Sequence, residues 1–199
     1  MSLDVSQLAL GPYQSNCYVV RQAGAADALV VDPGWEGEGA RIEGALEGAR
    51  CAAILVTHGD IDHVGAVAEL AEATGAPVYF PAAEQADFGR DPDVLVRGGE
   101  TLELAGLEVD TVLVPGHTPG HVAFFADGCL FSGDVLFAGS VGRTDRPGGD
   151  WPTLLESIRR LLERYPPETT VYPGHGPATT LGQELEGNPF LAELRAAPR

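Results

Sequence analysis

Two histidines and two aspartates, His58, Asp60, Asp62 and His63, fall within six consecutive residues. They follow the apolar run 54–56, whose β-branched residues are typical of a buried strand. Imidazole and carboxylate groups on one tight loop can converge on a point, and such convergence is what a metal site requires. Taken alone, the loop is equally consistent with a polar turn that faces solvent.

The remaining ligand-type residues occupy similar positions along the chain, which has five histidines in all. His117, His121 and His175 each follow a strand-like apolar run and are flanked by glycine and proline. Asp134 follows another such run, 129–132. Groups of this kind at the ends of four separate strands predict a metal site.

These segments resemble those of the metallo-β-lactamase superfamily. The loop 58–63 is similar to the His-x-His-x-Asp-His signature of that superfamily, with Asp60 at the position of the second histidine. The segments that are similar to its glyoxalase II branch, and most of all to the short bacterial hydroxyacylglutathione hydrolase-like enzymes, are 116–121, 133–137, 136–145 and 174–176. The resemblance extends from about residue 16 to residue 191 and implies a four-layer αβ/βα sandwich.

The resemblance also implies two divalent metal ions, expected to be zinc, with iron or manganese as alternatives. The implied ligands are His58, Asp60 and His117 for the first ion, Asp62, His63 and His175 for the second, and Asp134 as the bridge. In such a site a bridging hydroxide attacks a thioester carbonyl, and Asp62 is the catalytic residue that orients it. His121 is expected to make a structural hydrogen bond rather than to bind metal.

Arg143 stands where glyoxalase II has a basic residue that contacts the carboxylate of glutathione, so we expect it to bind substrate. An ion pair with Asp145 is an equally weighted alternative. Asp32, which ends a predicted strand, is expected to support the metal loop or simply to form a turn.

Asp60 is the one departure from the family pattern. A carboxylate is shorter, harder and more negative than imidazole, so it favours iron or manganese more than a histidine would. We expect Asp60 to be a ligand and two metals to bind. The alternative is that Asp60 does not reach and that one metal binds well.

The predicted function is metal-dependent hydrolysis of acyl-thiol esters such as S-lactoylglutathione. An alternative of a different class is a persulfide dioxygenase with one iron held by His58, His117 and Asp134. A third interpretation is a non-catalytic relative whose site has decayed at Asp60, although six of the seven ligand types match the pattern. The number and identity of bound metals separates these alternatives.

The elements that must position these residues follow from hydrophobic periodicity and turn signals. Strands are predicted at 3–10, 16–21, 28–31, 52–57, 78–80, 101–104, 107–114, 122–126, 129–131 and 169–172. Helices are predicted at 40–49, 64–74, 82–89, 151–165, 181–186 and 189–195, with polar connections at 91–99 and 139–149. This alternation predicts a layered α/β domain, taken as the single domain 1–199 without the helical extension of classical glyoxalase II.

The chain of 199 residues has a net charge of −17, with arginine as its basic residue and no lysine. Since phosphate binding requires a basic face, a small-molecule thiol ester is the expected partner rather than nucleic acid. Neither a signal-like segment nor a membrane-spanning run is evident, so a cytoplasmic location is predicted. The three cysteines form no CxxC motif and are expected to be buried, reduced thiols. The oligomeric state is not predicted.

Overall fold

Two six-stranded sheets form the centre of the computed structural model, which describes residues 3–89 and 91–196. The strands are β1 (Leu3–Leu10), β2 (Ser15–Gln22), β3 (Asp27–Val31), β4 (Arg50–Leu55), β5 (Val78–Pro81), β6 (Val94–Val96), β7 (Thr101–Leu104), β8 (Leu107–Leu113), β9 (Val122–Ala126), β10 (Cys129–Gly133), β11 (Leu136–Phe137), β12 (Ser140–Val141), β13 (Thr170–Pro173) and β14 (Thr179–Thr180). The helices are α1 (Gly39–Ala45), α2 (Ile61–Val64), α3 (Val67–Thr74), α4 (Trp151–Arg164), α5 (Leu181–Gly187) and α6 (Ala192–Ala196), with 3₁₀ turns at Ala82–Asp87 and Pro189–Leu191.

The two sheets differ in how their strands pair. The first has the order β1-β2-β3-β4-β5-β6, antiparallel from β1 to β3 and parallel from β3 to β6. The second has the order β14-β13-β10-β9-β8-β7, in which β10 and β13 run parallel and the other neighbours antiparallel. Because parallel neighbours end at the same edge of a sheet, the loops after β3 and β4 lie side by side, and so do those after β10 and β13.

Three apolar clusters separate four layers of structure. Ile42 of α1 and Leu70 of α3 pack on the outer face of the first sheet. Leu55 and Phe124 belong to the cluster between the two sheets. Leu154 and its neighbours on α4 pack on the outer face of the second sheet. The order helix, sheet, sheet, helix confirms the predicted αβ/βα sandwich.

The predicted helix 151–165 is confirmed as α4. Its residues Leu154, Ile158 and Leu161 recur at helical spacing and are fully buried. The Asp150 side chain caps the helix, because it accepts a hydrogen bond of 2.9 Å from the Thr153 backbone amide. Full burial of a leucine or isoleucine side chain stabilises the fold by about 1.5–3 kcal/mol, so this face alone accounts for the docking of α4.

The predicted helix 64–74 is interrupted between α2 and α3, where Ala66 leaves the helical region with a φ of −95° and a ψ of 7° and its amide donates to the Gly34 carbonyl at 3.3 Å. A Cβ atom at Gly65 would lie 2.5 Å from the Glu36 nitrogen and 2.8 Å from the Gly34 carbonyl oxygen. The chain after β3 therefore approaches the backbone of the metal-loop segment too closely for any larger residue. The apolar spacing on which the prediction rested carries no sign of this approach.

Three other segments also differ from prediction. Helix α1 ends at Ala45 rather than at 49, because Glu47 and Gly48 have positive φ angles of 50° and 84° that end a helix. The segment predicted as the polar connection 91–99 contains β6, which extends the first sheet beyond β5. The predicted loop 139–149 contains β12, which pairs with β11.

Cys17 and Cys51 are buried free thiols, as predicted, whereas Cys129 is only partly buried. Cys129 is the first residue of β10, next to the exposed turn at Asp127 and Gly128, so its side chain is less covered than its apolar run suggests. None of the helices within the described ranges is long and apolar enough to cross a membrane.

Candidate metal centre

The predicted ligand residues meet where strand ends from both sheets face each other. The loop after β4 supplies His58 to His63, and the loops after β8, β10 and β13 supply His117, Asp134 and His175. The cleft above them has a volume of about 460 Å³. The structure therefore brings together all seven residues that the sequence suggested as ligands.

The first group consists of His58, Asp60 and His117, whose nearest donor atoms all lie within 4.8 Å of one another. Asp60 Oδ2 is 3.8 Å from His58 Nε2 and 3.5 Å from His117 Nε2. Two ligand atoms that share a tetrahedral ion at about 2.0–2.2 Å lie about 3.4 Å apart, so this spacing fits a common ion. Asp60 therefore reaches the group in spite of its short side chain.

The second group consists of Asp62, His63 and His175, within the same 4.8 Å limit. Asp62 Oδ2 is 3.6 Å from His63 Nε2 and 3.3 Å from His175 Nε2. Ser15 donates a 2.8 Å hydrogen bond to that Asp62 oxygen and thereby fixes the carboxylate. Ser15 was not anticipated, because it lies in β2, far from the metal loop in sequence.

Asp134 lies between the two groups. Its Oδ1 is 3.4 Å from His63 Nε2, and its Oδ2 is 3.6 Å from His117 Nε2 and 3.5 Å from His175 Nε2. One carboxylate thus faces histidines of both groups, which is the arrangement that a bridging ligand needs.

Asp32 fixes the orientation of both histidines that begin and end the metal loop. Its Oδ1 accepts from the Thr57 amide at 2.8 Å, and its Oδ2 accepts from the Thr57 hydroxyl at 2.8 Å and from His63 Nδ1 at 3.0 Å. Because the Thr57 hydroxyl gives its single proton to Asp32, it accepts from His58 Nδ1 at 2.9 Å. In the neutral form that binds a metal ion, the Nε2 atom of each imidazole then carries the lone pair.

His117 is oriented in the same way, with Nε2 toward the centre, because its Nδ1 donates to the Arg143 carbonyl oxygen at 2.8 Å. The Nε2 atoms of His58, His63 and His117 are buried and have no hydrogen-bond partner within residues 3–89 and 91–196. Orphaned lone pairs are costly in a protein interior unless something binds them. Converging imidazole and carboxylate donors of this kind fit one or two metal ions of the zinc or iron class.

Protonation differs among the groups of the centre, and a metal ion must displace the proton from a histidine whose pKa is high. Burial, together with the neighbouring His63 and His121, lowers the pKa of His58 well below its usual value, so His58 is neutral and its lone pair is free. Burial favours the protonated form of Asp62, but the hydrogen bond with His175 and the nearby His63 outweigh it and lower the pKa of Asp62 to about 2. Hydrogen bonds to Asp134 and Asp62 raise the pKa of His175 to about 9.

His121 lies outside both ligand groups, where the sequence predicted a structural role for it. Its Nε2 accepts a 3.1 Å hydrogen bond from the Asp134 backbone amide, so this atom is not available to a metal. Its ring stacks on that of His58 at a centroid distance of 4.6 Å and an interplanar angle of 18°. His121 therefore supports Asp134 and His58 from behind.

The Arg143 side chain lines the cleft but makes the ion pair that was the alternative prediction. Its guanidinium donates to both carboxylate oxygens of Asp145, at 2.7 Å and 2.8 Å. Arg143 is more than half exposed, and ion pairs of this exposure are weak, so the side chain can exchange Asp145 for another partner. A second arginine in the cleft, Arg146, instead contacts Asp60 at 2.7 Å.

Glu84 is a buried carboxylate that sequence reasoning missed. Its Oε2 accepts from the Gly59 amide at 2.6 Å, and its Oε1 accepts from the Gly120 amide at 3.0 Å and from the Thr118 hydroxyl. It therefore joins the loop that carries His58 to the loop that carries His117. Its sequence context, the predicted helix 82–89, offered no signal for this role.

We expect Glu84→Gln to lower the free energy of unfolding by about 1–3 kcal/mol, because the new amide group would face a backbone donor. Denaturant unfolding of the two proteins measures the difference. Glu72→Gln, at an exposed position on α3, is the matched control and should leave the unfolding midpoint unchanged. Equal midpoints for Glu84→Gln and the natural chain would contradict the joining role.

Comparison with known proteins defines the class to which this fold and site belong. The family profile described as the metallo-beta-lactamase superfamily matches residues 10–175. The chain therefore belongs to the metallo-β-lactamase superfamily, as its motifs predicted.

Particular relatives are similar over almost their whole length. The hydroxyacylglutathione hydrolase GloC of Haemophilus influenzae is 34% identical, over 95% of this chain and 98% of that protein. Among solved structures, TTHA1623 in a di-iron-bound form is 41% identical with a TM-score of 0.80, covering 94% of this chain and 100% of the other. The B3 metallo-beta-lactamase BLEG-1 is 35% identical with a TM-score of 0.89, covering 95% and 100%.

Proposed function

We propose that this protein is a metal-dependent hydrolase of acyl-thiol esters, of the hydroxyacylglutathione hydrolase type. The observation that carries the proposal is the convergence of seven ligand-type side chains in two groups joined by Asp134, with three buried imidazole nitrogens that have no hydrogen-bond partner among the described residues. The similarity to GloC supports this substrate class, and the 136–145 segment is the part of the sequence that resembles that branch. The proposed partner is a small thiol ester rather than nucleic acid or a membrane.

The proposed ions are two divalent metals, zinc or iron, held by the two groups described above. When bound, such ions supply Lewis acidity and lower the pKa of a coordinated water to ~7. The similarity to TTHA1623, whose crystal structure is of a di-iron-bound form, supports iron as an alternative to zinc.

The chain's own residues then orient and confine the reaction. Asp62, fixed by Ser15 and low in pKa, is proposed to accept a hydrogen bond from the attacking water and to aim it at the thioester carbonyl. His175 Nε2 lies 3.3 Å from Asp62 Oδ2 and lines the cleft beside it. Arg143 is proposed to leave Asp145 and to bind a carboxylate of the thiol moiety, since a guanidinium fork suits a carboxylate.

Elemental analysis of the purified protein, followed by hydrolysis of S-lactoylglutathione, tests the proposal. We expect two metal ions per chain and release of free thiol that a chelator abolishes. Hydrolysis without metal, or two metals with no thioesterase activity on any acyl-thiol, would overturn it. Asp127→Asn, in an exposed hairpin turn, is a control that should keep both metal and activity.

One observation favours a second candidate, a persulfide dioxygenase with a single iron. His58, His117 and Asp134 converge without a contribution from Asp60 and make a set of two histidines and one carboxylate. That set is typical of non-haem iron oxygenases. A single iron per chain, with oxygen uptake in the presence of a persulfide, would favour this activity over hydrolysis.

A further inference from the structure

We propose that Arg146 is a positioning residue for the first metal group, which holds Asp60 toward His58 and His117 and offsets the charge that Asp60 introduces. The inference rests on the proposed metal centre. It explains how a carboxylate can stand where the superfamily signature has a neutral histidine.

The contact itself is direct. Arg146 Nη1 donates to Asp60 Oδ2 at 2.7 Å. The same oxygen is the one that lies 3.8 Å from His58 Nε2 and 3.5 Å from His117 Nε2. In the part of the chain that the structure describes, this is the one hydrogen bond that the Asp60 carboxylate makes. Without it, a side chain that is already 26% exposed can rotate into solvent.

The charge balance of the centre gives Arg146 a second role. Asp62 and Asp134 already bring two negative charges, and Asp60 adds a third. An arginine guanidinium stays positively charged at any working pH, so the Asp60–Arg146 pair is neutral overall, as an imidazole would be. The pair therefore replaces the histidine of the signature in net charge as well as in position.

The loop that presents Arg146 is anchored to the first metal group. The Arg143 carbonyl accepts from His117 Nδ1 at 2.8 Å, and the Asp150 amide donates to the Gly116 carbonyl at 2.8 Å. Arg146 lies between these two anchor points. These two hydrogen bonds hold the backbone of Arg146 beside the ligand loop, within reach of the Asp60 carboxylate.

Stability alone does not account for the pair. Both side chains are partly exposed, at 49% for Arg146 and 26% for Asp60, and ion pairs of this exposure contribute little to folding. Partners that hold a metal ligand in place, by contrast, change metal affinity by about 10–100-fold when they are removed. The effect of Arg146 is therefore expected in metal binding and not in the melting temperature of the metal-free protein.

A cobalt titration of four proteins tests this inference. They are the natural chain, Arg146→Gln, Asp60→His and the double variant, each stripped of metal and followed by Co²⁺ absorbance. We expect Arg146→Gln to weaken one of two cobalt ions by about 10–100-fold in the natural background and not to weaken it in the Asp60→His background. Arg160→Gln removes the same charge at an exposed position on α4 and should leave both cobalt affinities unchanged.

Each other outcome overturns the inference. If Arg146→Gln leaves the cobalt affinity unchanged in both backgrounds, Arg146 has no role in metal binding. If it tightens cobalt binding in both, the guanidinium only repels the metal ion. Weaker binding in both would mean that Arg146 does not act through Asp60. If Asp60→His does not fold, Asp60→Asn provides the second background. A natural chain that binds no cobalt would overturn the proposed centre itself, whereas two bound ions with an indifferent Arg146→Gln would overturn this inference alone.

Discussion

Replacing Asp134 with asparagine is expected to lower kcat/KM for thioester hydrolysis by at least about 10²-fold. Even partners that only support a metal ligand cost 10–100-fold when they are lost, and Asp134 faces His63, His117 and His175 directly. An asparagine of the same shape carries no negative charge and only one oxygen, so it cannot serve both groups. The loss should appear both in metal content and in activity at saturating substrate.

The Asp134 result depends on the protein staying folded, and the chain offers a matched control. Asp127→Asn makes the same chemical change at an exposed turn with a φ of 45°, a conformation that asparagine tolerates well. We expect Asp127→Asn to retain activity and metal. An Asp134→Asn protein with two metals per chain and natural kcat/KM would contradict the bridging role.

The second large effect is expected from Gly174→Ala, a change of one methyl group. An alanine Cβ at this position would lie 2.1 Å from Asp134 Oδ1 and 2.7 Å from His63 Cε1. The backbone cannot move away easily, because the Gly174 amide donates to the Gly133 carbonyl at 2.8 Å and its own carbonyl accepts from the Asn16 amide at 2.7 Å. Asp134 and His63 must shift, and the second metal group loses its geometry.

We expect the Gly174→Ala protein to bind one metal ion fewer and to lose at least about tenfold in kcat/KM, in line with the cost of disturbed metal ligands. Metal content by elemental analysis and steady-state kinetics measure the two effects. Gly187→Ala, where a Cβ would meet no atom within 4 Å, is the control and should behave as the natural chain does. Full metal content in Gly174→Ala would contradict the prediction that a Cβ atom at this position displaces Asp134 and His63.

The ligand residues were predictable because each carries its own local signal. His58, Asp134 and His175 follow apolar strand runs and stand beside glycine or proline, and the four-layer fold followed from the same motifs. The supporting residues carry no such signal. In the local sequence, Asp32 cannot be distinguished from an ordinary turn aspartate, and Glu84 cannot be distinguished from an ordinary helix glutamate. Only the tertiary structure shows that they bind the loops that carry the ligands.

The residues that the sequence did not assign all act over a long separation in the chain. Arg146 is 86 positions from Asp60, and Ser15 is 47 positions from Asp62. No periodicity or spacing connects such pairs. Ser15 and Asp62 meet because β2 and β4 belong to the same sheet, whereas Arg146 and Asp60 meet where the two sheets face each other. The break between α2 and α3 was missed for the same reason, because the Ala66 amide donates to the Gly34 carbonyl, in a different segment.

The metal centre also joins the two halves of the sandwich. His58 to His63 belong to the loop after a strand of the first sheet, whereas His117, Asp134 and His175 follow strands of the second. Neither sheet alone carries a complete ligand group for the first or the second ion. A bound metal ion would therefore link the two sheets. Metal at 100 times its Kd would stabilise the folded state by about 2.7 kcal/mol per site. A chelator should then lower the Tm, and the affinity for metal becomes a measure of how firmly the two halves are held together.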